Sequence, residues 1–154
     1  MTQATICYCI RDGQILLGMK KVRFGAGKWN GYGGKVDAGE SNEEAAAREL
    51  FEESGLATDP DALEKIADIR FFFKEKPMFQ CHVYIARTWE GEPQESDEMR
   101  PEWFPIDHLP KDAMWVSDLL WLERALSGEH LRGEVRFNEN GSEVESSQFE
   151  AADF

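Results

Sequence analysis

Residues 34–56 read GKVDAGESNEEAAARELFEESGL, and the spacing of charged and small residues within this stretch decides how the chain is read. Five residues separate Gly34 from Glu40. Seven more lead to Arg48-Glu49-Leu50-Phe51-Glu52-Glu53-Ser54-Gly55-Leu56. Ser41 and Glu44 fit a capping box. Glu43 and Glu44 put negative charge where a helix dipole favours it, and Ala45-Ala46-Ala47 is strongly helix-forming. Gly55 suits a left-handed C-terminal position. A helix from about Asn42 to Ser54 is therefore predicted, with Ala46, Ala47, Leu50 and Phe51 as its core stripe. Glu49, Glu52 and Glu53, at i, i+3 and i+4, then crowd one face. Like charges so placed repel, and a hard divalent cation with oxygen ligands turns that repulsion into a binding site. A solvated acidic face is the commoner fate of such a helix. The glycines at 31, 33 and 34 and the fixed offsets of Glu40 and Arg48 favour the metal-binding reading.

This spacing resembles the Nudix box, with every defined position of that motif filled. The likeness extends to Gly18–Val36 (GMKKVRFGAGKWNGYGGKV), to Glu95–Phe104 (ESDEMRPEWF) and to Met114-Trp115. These segments are similar to the MutT-type 8-oxo-dGTP diphosphatases of the Nudix family, those of mammals in particular. The resemblance covers nearly the whole chain and is weakest over the last ten or so residues.

Length and composition agree with one domain spanning residues 1–154. No run of about 18 apolar residues is present, so no membrane span is expected, and no secretory signal is visible at the N-terminus. Cys7, Cys9 and Cys81 are an odd set. Cys7 and Cys9 would share one side of a strand, which suits core filling, and reduced thiols in a cytoplasmic protein account for all three. The scattered His82, His108 and His130 argue against zinc. A net charge of −13 argues against a nucleic-acid polymer as partner. Residues 1–35 nonetheless hold six lysines and arginines against one acid, Asp12, a local charge of +5 that leaves −18 for residues 36–154. A phosphate chain could lie between these lysines and cations on the acidic helix.

Hydrophobic patterning gives an α/β order. Strands are expected at Thr5–Ile10 and Gln14–Met19, joined at Asp12-Gly13. A glycine-containing loop runs over 20–29, and the acidic helix follows. Further strands are expected at Leu63–Phe73, Gln80–Trp89 and Glu102–Ile106, with a charged loop over 90–101. A helix is expected at Ser117–Leu126 with Ser117 as N-cap. Strands at Leu131–Phe137 and Ser142–Ser147 flank a hairpin at Asn140-Gly141. The Nudix fold, a mixed β-sheet sandwiched between α-helices, accommodates this order.

The resemblance implies a hydrolase of a nucleoside diphosphate linked to another group. It makes Glu49, Glu52, Glu53, Glu98 and the Gly33 carbonyl ligands of Mg2+, with Mn2+ as a substitute. Glu53 or Glu98 would orient or deprotonate water, and the sequence does not choose between them. Glu52 and Arg48 complete the catalytic set, with Arg48 and Glu40 holding the glutamate geometry. Lys20, Lys35, Gly33 and Gly34 are placed near substrate, and Asn30 is expected to bond a purine edge. Phe24 and Trp115 would pack on the base, with Thr5, Phe72 and Phe79 lining the cavity, Tyr32 among the substrate-binding residues, and Ser117 and Asp118 reading the base. The family carries two adjacent acids where this chain reads Ser117-Asp118, which bears on the breadth of substrate choice. The expected substrate is an oxidised purine nucleoside triphosphate of the 8-oxo-dGTP type, a small molecule handled by a monomer. An ADP-ribose-like or nucleotide-sugar substrate and a non-catalytic nucleotide sensor are the alternatives.

Overall fold

The computed structural model describes residues 1–154. Its strands are β1 (Thr2–Arg11), β2 (Gln14–Lys20), β3 (Trp29–Asn30), β4 (Tyr32–Lys35), β5 (Glu64–Phe73), β6 (Lys76–Ala86), β7 (Met99–Pro105), β8 (Leu131–Phe137) and β9 (Val144–Ala151). Its helices are α1 (Asn42–Ser54) and α2 (Leu122–Leu126). All strands join one mixed sheet, ordered β3-β2-β1-β6-β5-β8-β9, with β4 against β1 and β7 against β2. β1 is the pivot. It runs parallel to β6 over Thr2–Cys9, while its other edge pairs with β4 at Ala4–Cys7 and then with β2 at Cys9–Arg11.

Strand alternation divides the core in two. Tyr8 and Ile10 of β1, Cys81, Val83 and Ile85 of β6, and Ile69 and Phe71 of β5 face the side covered by Trp121, Leu122 and Ala125. Cys7, Cys9, Tyr84 and Ala86 face the other side, beneath Ala46 and Leu50 of α1. The sheet thus lies between helices, and all three cysteines are free and buried.

α1 has the predicted bounds. Its capping box closes in both directions, and Gly55 ends it at φ 80° with its N–H on the Phe51 carbonyl. The core stripe is rotated from the expected one. Ala45, Ala46, Leu50 and Ser54 are buried, whereas Phe51 is exposed. The cause is packing against β4 and β1, which presents the 46-50-54 row and turns residue 51 to water. Ser117 also departs from expectation, making no capping bond. The chain turns through a 3-10 segment at Asp118–Leu120 before α2, which spans only five residues. The glycine-rich run 29–35 forms two short strands, because β1 and β2 supply edges for Trp29–Asn30 and Tyr32–Lys35 to pair with.

Candidate active site

Glycines bring α1 against the sheet. At Gly34 a side chain would meet the Glu49 carboxylate at 2.6 Å, and at Gly33 it would run into the Thr5 carbonyl oxygen. The Gly33 N–H donates to Glu53 Oε1 at 3.0 Å. This one residue therefore joins strand β4, the Thr5 strand and the acidic helix.

Arg48 organises the rest of that face. Its Nε and Nη2 grip the two oxygens of Glu40 at 2.7 and 3.0 Å, Nη1 reaches Glu49 at 2.9 Å and Glu52 at 3.3 Å, and Nη2 also donates to the Lys35 carbonyl. Glu52 is the outermost acid, with its side chain 55% exposed. Glu53 is largely enclosed. Burial, then the nearby charge of Glu49, pushes its carboxyl up to about 7. The Gly33 bond and Lys20 oppose the shift, and Glu98 adds to it. Glu52 and Glu53 also stand in the last turn of α1, where a helix dipole disfavours negative charge. A stability-driven sequence would not choose acids there.

The donor set suits a divalent cation. Glu49, Glu52, Glu53 and Glu98 with the Gly33 carbonyl are all oxygen donors, the kind that hard cations take. Glu53 carries like-charge repulsion that a cation relieves. The acids line one surface without closing into a cage, since no three acidic, histidine or cysteine side chains converge at ligand distance. Glu98 is turned to Arg23, whose Nη1 lies 2.6 Å from its Oε1.

Beside Glu53 opens a cavity of about 330 Å³. Of the residues singled out in the sequence, Thr5, Lys20, Phe24, Asn30, Gly33, Gly34, Phe79, Trp115, Ser117 and Asp118 all line it. Phe24 and Trp115 pack with ring centroids 5.1 Å apart, and Lys28 Nζ lies 5.3 Å from the Trp115 ring. Asn30 Oδ1 accepts from the Gly31 N–H at 2.8 Å and the Tyr8 hydroxyl at 3.3 Å, which turns its amide donors to the cavity. Four buried polar atoms, Thr5 Oγ1, Asp118 Oδ2, Tyr32 Oη and Trp121 Nε1, have no partner in the protein. Burial alone pushes Asp118 up to about 7. Buried polar atoms left unpaired are costly, and of these four residues Thr5 and Asp118 line the cavity.

Three residues expected to contact substrate or line its cavity lie away from the cavity. Tyr32 pairs with Cys7, and alternation sends its ring to the α1 side, where it is fully buried. Lys35 ends β4 with its side chain exposed, and only its carbonyl joins the site. Phe72 points away from the cavity under Arg136, whose guanidinium carbon sits 4.2 Å from the ring, while Phe71 and Phe73 line the wall in its place. That is a one-residue error of strand phase. Sequence reasoning also missed Lys28, Cys81, Met99 and Phe137 in the lining. The alternation of β6 held the signal for Cys81, while Phe71 and Phe73 are set inward by the pairing of β5 with β6 and β8. Nothing local marked Phe137, which arrives through the parallel pairing of β8 with β5.

Comparison with known proteins agrees with this geometry. The NUDIX domain family matches residues 1–125. The chain is 47% identical over 150 residues to an oxidized purine nucleoside triphosphate hydrolase of Danio rerio, covering 97% of this chain and 95% of that one. It is 40% identical over 151 residues to the protein of the same description in Mus musculus, covering 97% and 96%. The crystal structure of a MutT protein from Bacillus halodurans superposes with a TM-score of 0.82 at 25% identity, covering 97% of this chain and 98% of that one.

Proposed function

The chain belongs to the Nudix family, and from that premise we propose that it is a magnesium-dependent pyrophosphohydrolase of oxidised purine nucleoside triphosphates, 8-oxo-dGTP among them. The observation that carries this reading is the junction at Gly33. A half-open, mostly apolar cavity with unpartnered Thr5 and Asp118 atoms meets a carboxylate-lined surface through a single residue, so a base and its phosphates fit the two sides at once.

The reaction adds one water across the phosphoanhydride between the α- and β-phosphates. A P–O bond to the water oxygen forms, the bridging P–O bond breaks, and monophosphate and pyrophosphate leave. When bound, a divalent cation supplies Lewis-acid charge that neutralises the phosphate oxygens and lowers the pKa of water. Manganese serves in place of magnesium. Glu53, held by the Gly33 N–H beside the other acids of α1, is placed to take the proton from water. Lys20 and Lys28 line the same cavity and offset phosphate charge. Arg48 keeps Glu49 and Glu52 aligned.

In the base cavity, aromatic faces of Phe24 and Trp115 hold the purine. Asn30 donates to its edge. Asp118 accepts from a ring N–H and exocyclic amine when ionised, and donates to a ring carbonyl when protonated. Ser117, neutral and shorter than an acid, is the secondary reader. Guanine-type substrates are therefore preferred over oxidised adenine nucleotides. We place the enzyme in the cytoplasm, working as a monomer. The test is pyrophosphate release with Mg2+ from 8-oxo-dGTP, 2-hydroxy-dATP, dGTP and dATP, alongside product formation from ADP-ribose and a nucleotide sugar. The highest kcat/KM is expected for 8-oxo-dGTP, and a higher value for ADP-ribose overturns the reading.

A further inference from the structure

Arg23 stands at an unusual junction. Its backbone is left-handed, φ 66°, a conformation that a side-chain-bearing residue holds only under constraint. The segments on either side of the loop supply the constraint. The Lys21 N–H donates to the Glu98 carbonyl at 2.8 Å. Lys21 Nζ donates to the Ser96 carbonyl at 2.9 Å and pairs with Glu95. Ser96 Oγ in turn accepts the N–H groups of Glu98 and Met99. Two loops of opposite charge are thus laced together. At the top of the lacing, the Arg23 guanidinium meets the Glu98 carboxylate at 2.6 Å, with the two side chains 73% and 41% exposed. On the other side of Arg23 comes Phe24, 82% exposed and packed on Trp115 over the cavity.

An ion pair this exposed is weak and exchangeable. Met99, the residue after Glu98, lines the cavity together with Glu53, which brings the Glu98 loop to the acidic face. A carboxylate between an exposed guanidinium and an acid-lined surface has two competing claimants. We propose that Arg23 is a positioning residue that holds Glu98 by an exchangeable ion pair and yields it to a divalent cation, coupling metal binding to the loop that carries Phe24. The inference rests on Glu98 belonging to the metal side of the site. Release of Glu98 frees Arg23 to turn its charge toward a bound phosphate chain, and slackens the loop enough for Phe24 and Trp115 to part around a base.

The experiment is Mn2+ binding to the nucleotide-free full chain, read by electron paramagnetic resonance, in wild type, Arg23→Gln, Arg23→Gly and Arg23→Lys. Tryptophan emission during a Mg2+ titration, taken as the difference from a Trp115→Phe control because four other tryptophans also emit, reports on Trp115. Removing the competing charge is expected to tighten Mn2+ about two- to fivefold in both the Gln and Gly variants, the scale of an exposed pair. The Lys variant should stay near wild type. The Mg2+-dependent emission change should be present in wild type and Arg23→Lys and lost in Arg23→Gln. Equal affinity in all four proteins overturns the proposal. So does tightening in the Gly variant alone, which would make relief of the backbone the cause rather than charge. Absence of Mn2+ binding in every protein overturns both this inference and the proposed function. Normal Mn2+ binding with the expected order of variants, but no hydrolysis of any nucleotide, overturns the function and leaves the role of Arg23 standing.

Discussion

Glu53 and Asp118 line the same cavity, and each has its carboxyl raised to about 7, yet the two arrive there by different routes. Asp118 is raised by burial alone, among apolar walls, with one oxygen unpartnered. Glu53 is raised by burial and by the charges of Glu49 and Glu98, while a backbone N–H and Lys20 pull the other way. The difference decides what each can do. A cation beside Glu53 offsets both the burial and the repulsion and favours the charged carboxylate. No charged neighbour contributes at Asp118, so nothing there gathers a cation, and both protonation states stay in reach near neutrality. One acid is built to be switched on by metal, the other to read a base in either form.

The severest test of this contrast is Glu53→Gln. The amide keeps the Gly33 bond and the shape but cannot take a proton, so kcat should fall about 100- to 10,000-fold at saturating Mg2+, with an unchanged circular dichroism spectrum. A near-normal kcat breaks the assignment. Asp118→Asn should cost about 1–3 kcal/mol in kcat/KM for 8-oxo-dGTP, the scale of a lost buried charged hydrogen bond. Unchanged kcat/KM for both 8-oxo-dGTP and 2-hydroxy-dATP would mean that the base is not read there.

The contrast sharpens in carboxyl titrations followed by carbon NMR. Both acids have folded-state values above their ordinary 4.5 and 3.8, so the fold favours their protonated forms. That stabilisation is full below those ordinary values and is lost as pH rises through about 7. Saturating Mg2+ should move the Glu53 midpoint down by a unit or more, roughly 1.4 kcal/mol per unit, and leave Asp118 near 7. Equal movement of both acids abolishes the distinction. In the same pH range, the ratio of kcat/KM for 8-oxo-dGTP over 2-hydroxy-dATP should rise as Asp118 ionises. The smallest effect is expected from Ser117→Asp, which places a second acid beside the first so that one can hold a proton while the other stays ionised. That variant should lift 2-hydroxy-dATP turnover by about two- to tenfold. No change would reduce Ser117 to a bystander.

How legible all this was depends on the range of the forces involved. α1 could be read to the residue because caps, alanines and the terminal glycine act within a few positions. The hairpins at Asp12-Gly13 and Asn140-Gly141 were visible for the same reason. The phase of β5 was misread by one residue because a run of three phenylalanines carries no alternation of its own. Its pairing with β6 and β8 decides which rings point inward. Tyr32 failed as a substrate contact on the same ground, since its direction follows from pairing with Cys7. The Arg23–Glu98 pair spans 75 positions of sequence and had no local signature.

The parallel pairing of β5 with β8 has a consequence for biosynthesis. The NUDIX match ends at residue 125, but Phe137 and Gly141 close the cavity wall. A nascent chain that has released α1 from the ribosome carries all three box glutamates of that helix with no room yet enclosed for a base. Residues 137 and 141 are made after α1, so the cavity wall cannot be complete until they emerge. Substrate selection therefore waits on β8 and the turn that follows it, and a chain stalled before residue 137 would hold its acids without a means of choosing what they cut.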